Sequence, residues 1–303
     1  MEERRVPAVR PEFVLFGDSI TQQGFVPSGW AALLAAKYCR TADITLRGYS
    51  GYTSRWALHL LPALFPPSRA APALVTVCLG ANDACLPPPL RGCPPQLSRQ
   101  HVPQREYCDN LRQIIKSIRA CGDGSARVLL LTPPPVDDGA WFSELQAEHD
   151  LPAHAESNRT LEAAKEYAAC CLNVGAMEGV PVVDLCADFL QQPNWREMFS
   201  DGLHPNSAGG ALIFSSVSAA IDKAYPELEP ASFGKEALSL LPMDFPDHKS
   251  LDTADLAGCI RRHRQNHSSS AVHQPRFSGM SQTVEPEQDE DATGACTDSL
   301  TAQ

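Results

Sequence analysis

Residues 13–24 read FVLFGDSITQQG. The apolar run FVLF passes without a polar break into a glycine, which is the pattern of a strand buried on both faces and ending in a turn. The same form recurs downstream as ITL at 44–46, LVTVCL at 74–79, VLLLT at 128–132 and VPVVDL at 180–185. Between these runs lie segments with apolar residues at helical spacing: GWAALLAAKYC (29–39), TSRWALHLL (53–61), REYCDNLRQIIKSIRAC (105–121) and NRTLEAAKEYAACCLNVGAM (158–177). A further helical pattern, SAGGALIFSSVSAAIDKAY (207–225), follows the last strand. Alternation of this kind predicts an α/β fold, a three-layer sandwich around a five-stranded parallel sheet with right-handed crossovers and flavodoxin-like strand order. Ligands of such sheets bind beyond the carboxyl ends of the strands, so functional residues are expected just after strands.

Two segments fall outside the sandwich. Residues 86–103, LPPPLRGCPPQLSRQHVP, hold too much proline for regular structure and read as a long surface loop after the third strand, where it would border the site. From about Glu227 the chain is poor in β-branched and aromatic residues and ends in VEPEQDEDATGACTDS (284–299). The expected organisation is a domain over 1–226 and an acidic, largely disordered tail over 227–303, with a short helix near LDTADLAGCIRRH (251–263). The RRHR cluster at 261–264 reads as a solvated basic turn.

Composition narrows the function classes. A chain of 303 residues, 43% of them hydrophobic, can bury a sizeable core. A formal net charge of −11 argues against a nucleic-acid surface, which needs a concentrated basic stripe. No stretch approaches the roughly 18 apolar residues of a membrane span, and MEERRVPAVRPEF lacks the apolar run of a secretory signal, so the expected address is cytoplasmic. There the 11 cysteines, odd in number and irregular in spacing, read as reduced thiols. Cys85, Cys93, His101 and Cys108 lack the close paired spacing of a zinc site, and no metal is expected there. The glycosylation patterns beginning at Asn158 and Asn266 carry no weight in a chain that is not exported.

The chemistry lies at the strand ends. Gly17-Asp18-Ser19-Ile20 follows the first strand directly; alone it fits a turn in which Asp or Ser caps backbone N–H groups. A serine nucleophile needs a base, since its hydroxyl is weak at neutral pH, and histidine has the matching pKa. His204, in Asp201-Gly202-Leu203-His204 just before the last helix, has a carboxylate three residues upstream that can hold one ring nitrogen and leave the other to the serine. Read blandly, Asp201 and Asn206 are caps and His204 an ordinary loop histidine. Acyl transfer also needs donors where the oxyanion develops. Asn82, in Gly80-Ala81-Asn82-Asp83 after the third strand, offers a side-chain amide, and Gly51, in RGYSGY (47–52) after the second, a backbone N–H with no side chain in the way. Each is also a plausible turn residue. Together they make a mechanism that independent turn residues would not complete.

With these residues in place the sequence resembles the SGNH (GDSL-type) hydrolases over about 13–225, with every motif in the family's order. The four defining residues would be Ser19 in GDSI, Gly51 in RGYSGY, Asn82 in GAND and His204 in DGLH, and Asp201 would complete the triad. RGYSGYTSRWAL, GANDAC and DGLHP look like the isoamyl acetate-hydrolysing esterase branch, which implies small acetate esters as substrates and no cofactor. The proline-rich loop is longer than that branch leads one to expect, and the tail has no counterpart, which leaves thioesters, acetylated sugars and lysolipids open as acyl donors. The residues do not follow the α/β-hydrolase pattern, because no GxSxG elbow accompanies Ser19. A flavodoxin-like binding protein with GDSITQQG as its phosphate loop is the alternative from another class, and it leaves Asp201, His204 and Asn82 without a role.

Overall fold

The computed structural model describes residues 10–230, 243–252 and 254–268. In chain order the elements are β1 (Glu12–Gly17), α1 (Ser19–Gln22), α2 (Trp30–Lys37), β2 (Asp43–Gly48), α3 (Ser54–Ala57), α4 (Leu61–Leu64), β3 (Leu74–Cys78), α5 (Gln104–Arg119), β4 (Arg127–Leu131), α6 (Asp138–His149), α7 (Leu161–Glu178), β5 (Val182–Val183), α8 (Leu185–Leu190), α9 (Ser207–Ala224) and α10 (Leu256–Ser268). The strands form one parallel sheet in the order β2-β1-β3-β4-β5, which is the flavodoxin-like order expected from the sequence.

Alternation along each strand divides the core between the two faces of the sheet. Phe13 and Leu15 of β1 point to one side, with Trp30 and Leu34 of α2 and Ile213, Val217 and Ile221 of α9. Val14 and Phe16 point to the other, with Leu61 of α4, Leu111, Ile114 and Ile118 of α5, and Tyr167 and Val174 of α7. Helix α5 buries Tyr107, Leu111, Ile114, Ile115 and Ile118, a stripe at helical spacing. Each large side chain so buried contributes about 1.5–3 kcal/mol, which is why strands covered on both faces are apolar throughout.

Register sets the position of the site. Gly17 of β1 lies opposite Gly48 of β2 and opposite Cys78 of β3, so these three strands end level. At Gly48 a Cβ would meet the Gln22 backbone N at 2.0 Å. Only glycine lets α1 fold back over the end of β2.

Local structure departs from the sequence reading in places. The run at 180–185 yields only two paired residues, because Asp184 accepts a hydrogen bond from Ala187 N (3.0 Å) and caps α8 instead of extending the strand. The segment 53–61 breaks into α3, a 3₁₀ turn and α4, which carries Pro62 in its first turn. Helix α6 leaves no signal in the sequence, because it buries Leu145 alone and so carries no apolar stripe.

Past Tyr225 some of the described residues contact the sheet domain. Glu227 pairs with Arg127, Leu228 is buried, and so is Met243. Asp244 accepts from Arg10 Nε (3.0 Å) and Nη2 (2.7 Å), and Arg10 also donates to Asp43 at the start of β2 (3.0 Å). These contacts lie at the amino ends of the strands, opposite the edge where Ser19 sits. Helix α10 overlaps the short helix expected at 251–263, while the acidic stretch 284–299 lies outside the described residues.

Candidate active site

Ser19 is the first residue of α1, directly beyond β1. Asp18 is the cap: its Oδ1 accepts from Ile20 N (3.0 Å). The capping reading of GDSI therefore holds for Asp18, while Ser19 is spared for another bond. Its Oγ lies 2.9 Å from His204 Nε2, across a sequence separation of 185 residues. On the far side of the ring, His204 Nδ1 is 2.6 Å from Asp201 Oδ2. Asp201 Oδ1 accepts from the backbone N–H of Leu203 (2.9 Å) and of His204 (2.7 Å). Burial by itself would raise the Asp201 pKa, but the bonds from the His204 ring and from these two N–H groups prevail and hold it at about 2. A carboxylate fixed in this way orients the imidazole with its Nδ1 proton inward and its Nε2 lone pair towards Ser19.

The loop that carries the Asp–His pair is braced from several directions. Gly202 O accepts from Asp137 N (2.8 Å) at the start of α6, Ser200 N donates to His204 O (2.9 Å), and Asn206 N donates to Met198 O (2.9 Å). Asn206 caps α9 through Ala208 N (2.9 Å). Asn206 thus caps a helix, whereas Asp201 caps through Oδ1 only a turn that no helix follows and keeps Oδ2 for His204.

Gly51 and Asn82 belong to a second bonded group at the neighbouring strand ends. Asn82 Nδ2 donates to Tyr52 O (2.9 Å), and Gln100 Nε2 donates both to Gly51 O (2.8 Å) and to Asn82 Oδ1 (3.0 Å). Gly51 has φ +78°, and a Cβ there would meet only Gln100 Nε2, at 3.4 Å. Its glycine is required by the left-handed backbone rather than by crowding.

Sequence reasoning missed two members of this group, Gln100 and Arg159. Arg159 is 4% exposed. It donates from Nη1 to Ala81 O, and from Nη2 to Asn82 Oδ1 (3.0 Å) and Gln100 Oε1 (2.8 Å). Its guanidinium sits 5.3 Å from the Trp141 ring centroid. Gln100 comes from the proline-rich segment, which is tied down despite its composition: Leu86 N donates to Asn158 O (2.8 Å), Asn158 Nδ2 to Leu97 O (2.7 Å) and Val102 N to Asp83 O (3.2 Å). Of the expected metal-free cluster, His101 turns Nδ1 to Cys85 O (2.6 Å).

Two further carboxyls lie buried beside the site. Asp83 accepts from Ser54 N (3.0 Å) and from the Ser54 hydroxyl; burial pushes its pKa up to about 6, against those bonds. Asp18 is pushed up to about 7, chiefly by burial, with Ile20 N and the charges of His204 and Arg159 acting the other way. Its Oδ2 has no hydrogen-bond partner among the described residues. A carboxyl with a raised folded-state pKa adds stability that is fully present below about pH 4 and is lost as pH rises through about 7. Asp18→Asn keeps the capping oxygen and removes the charge. Its stability relative to wild type should therefore climb between pH 4 and pH 8 by up to about 4 kcal/mol. Urea titrations of both proteins at several pH values check this, and a difference that does not change with pH would refute it.

Residues 15–212 match the GDSL-like lipase/acylhydrolase family. A GDSL esterase/lipase of Arabidopsis thaliana is 38% identical over 246 residues, covering 80% of this chain and 95% of the relative. The chain belongs to the GDSL-like lipase/acylhydrolase family. With that family it is a carboxylic ester hydrolase. The isoamyl acetate-hydrolyzing esterase 1 homolog of Bos taurus is 36% identical over 227 residues, 73% of this chain and 86% of that protein. In three dimensions the lipase/acylhydrolase of Enterococcus faecalis aligns with a TM-score of 0.52 at 24% identity, over 71% of this chain and 96% of its own, a likeness of fold. Among the described residues no helix is long and apolar enough to cross a membrane.

Proposed function

We propose that this GDSL hydrolase cleaves small carboxylic esters of the acetate type through an acyl-enzyme on Ser19. The observation that carries this reading is the bonded series from Ser19 Oγ through the His204 ring to Asp201. His204 Nε2 takes the Ser19 proton as Oγ attacks the ester carbonyl, forming a C–O bond and sending the carbonyl π electrons to oxygen. The oxyanion is received by the N–H groups of Ser19 and Gly51 and by the Asn82 amide. Ser19 suits this role because a first-turn N–H has no partner within its own helix. Collapse of the intermediate breaks the bond to the alcohol, which leaves with the proton from His204. Water then attacks the acyl group by the same route, giving the acid and restoring Ser19. Every proton in this cycle moves between side chains, substrate and water, so the steps call on no metal or organic cofactor. The partner is a small-molecule ester rather than a nucleic acid.

The acetate preference draws on the relatives named as isoamyl acetate-hydrolyzing esterase homologs. A p-nitrophenyl ester series from acetate to dodecanoate measures it. The largest kcat/KM is expected at acetate to butyrate, with a fall of at least about tenfold by octanoate, since a pocket that ends early forfeits binding of each further methylene. A maximum at long chains would overturn the small-ester reading and leave ester hydrolysis standing. The proposed setting is cytoplasmic, where the 11 irregularly spaced cysteines would stay reduced. The hydrolase domain would extend over 1–226, with 227–303 as an acidic tail whose described residues Glu227 and Asp244 pair with Arg127 and Arg10 at the amino ends of the strands.

A further inference from the structure

The guanidinium of Arg159 is buried, yet the acyl-transfer steps above make no use of it. Its Nη2 and Gln100 Nε2 both donate to the same atom, Asn82 Oδ1, each at 3.0 Å. Arg159 Nη2 also donates to Gln100 Oε1 (2.8 Å), and Nη1 donates to Ala81 O, one residue before Asn82. On the other side, Asn82 Nδ2 donates one hydrogen to Tyr52 O (2.9 Å). These contacts decide which way the carboxamide points. A flipped amide would set its NH₂ against the Arg159 and Gln100 donors and its oxygen against the Tyr52 carbonyl. In the observed orientation Nδ2 keeps a second hydrogen beyond the one given to Tyr52 O. A cation bonded to the carboxamide oxygen also draws electron density from the nitrogen and strengthens that remaining N–H as a donor.

We propose that Arg159 and Gln100 form a clamp that fixes and polarises the Asn82 carboxamide for oxyanion binding, with Gln100 tying the same amide to the Gly51 carbonyl. Both are positioning residues that act through Asn82, and the proposal rests on the reading of Asn82 as an oxyanion donor. The proline-rich segment thereby acquires a role in the site, because its contacts to Asn158 and Asp83 hold it where Gln100 can reach residues that are distant in sequence. Trp141 backs the clamp. Its ring faces the Arg159 guanidinium at 5.3 Å, and its Nε1 donates to Asn158 Oδ1 (2.8 Å). Lysine at 159 would keep the charge and lose the fork that reaches Ala81, Asn82 and Gln100 together.

The test is a pair of double-mutant cycles in the full-length chain, read as kcat and KM on p-nitrophenyl acetate, with circular dichroism melts on every variant. Asn82→Ala is expected to lower kcat by roughly 10²- to 10³-fold. Arg159→Lys and Gln100→Ala should each lower kcat by roughly tenfold or more with KM changed by less than about threefold, the split left when transition-state stabilisation alone is lost. Combined with Asn82→Ala, neither should cost anything further, because the amide it positions is gone. Losses that multiply in the double variants, or wild-type kcat in Arg159→Lys and Gln100→Ala beside a crippled Asn82→Ala, overturn the clamp and leave Asn82 in its role. Wild-type kcat in Asn82→Ala instead overturns the oxyanion reading itself. Should Arg159→Lys fail to fold, the Gln100 cycle decides alone, since Gln100 lies on a surface segment and carries no buried charge.

Discussion

Ser19→Ala should lower kcat on p-nitrophenyl acetate by roughly 10⁶-fold, the scale at which loss of the nucleophile disables a serine hydrolase. The variant should still fold. Ser19 opens α1, where alanine is the better helix former, and the cap is supplied by Asp18 rather than by the serine hydroxyl. The hydroxyl's bond in the structure is to His204 Nε2, which solvent can replace because the His204 side chain is one-fifth exposed. Loss of turnover with an unchanged melting temperature is therefore the expected pairing. Labelling by an organophosphonate followed by peptide mass analysis gives an independent reading, with the adduct on Ser19 in wild type and none in the variant. Turnover within tenfold of wild type, or an adduct on another serine, would sink the assignment.

Asp201→Asn is the second large effect, expected at roughly 10⁴-fold in kcat for a tautomeric reason. The Asp201 carboxylate accepts the Nδ1 proton of His204 on Oδ2 and the backbone N–H groups of Leu203 and His204 on Oδ1. Asparagine can keep its oxygen for the two backbone donors, so the turn survives. It then presents an NH₂ to Nδ1, which pushes the ring proton to Nε2. A ring that donates towards Ser19 cannot take its proton. The expected signature is low kcat, a melting temperature within a few degrees of wild type and KM little altered. Near-normal kcat in a folded Asp201→Asn protein would mean that Asp201 does not orient the base. The held pKa of about 2 adds a constraint on pH dependence. The stability that Asp201 contributes is fully present above about pH 4 and is lost as pH falls through about 2, so an acid limb of kcat/KM between pH 5 and 7 belongs to another group.

Much of this was legible in the sequence. Strands β1, β3 and β4 are buried on both faces, and that burial writes a near-continuous apolar run, interrupted in β3 only by Thr76, that can be read without knowing their partners. The triad candidates are legible because each sits in a short motif at the end of a strand or before a helix, where spacing is itself chemical. Asp201 lies three residues before His204, and Ser19 follows a strand directly. Helix α6 was not legible, since burying Leu145 alone leaves no periodicity to read, and the short strand β5 gave way to a helix cap at Asp184.

Arg159 and Gln100 belong to the part that only tertiary structure decided. In sequence Arg159 is a charged residue at a helix start and Gln100 a polar residue in a proline-rich loop, and neither position predicts a bond to Asn82. Their bonds to Asn82 span 77 and 18 residues, and they exist because the sheet order sets β3 between β1 and β4 and returns the start of α7 over the end of β3. Local periodicity records what a residue does for its own strand or helix. It holds nothing about which distant carboxamide a guanidinium will meet, because that is fixed by the packing of whole elements. The sequence by itself determined the sheet and the ester-hydrolase family and proposed the serine, histidine and aspartate that the fold brings together; the fold alone decided what Asn82 is bonded to.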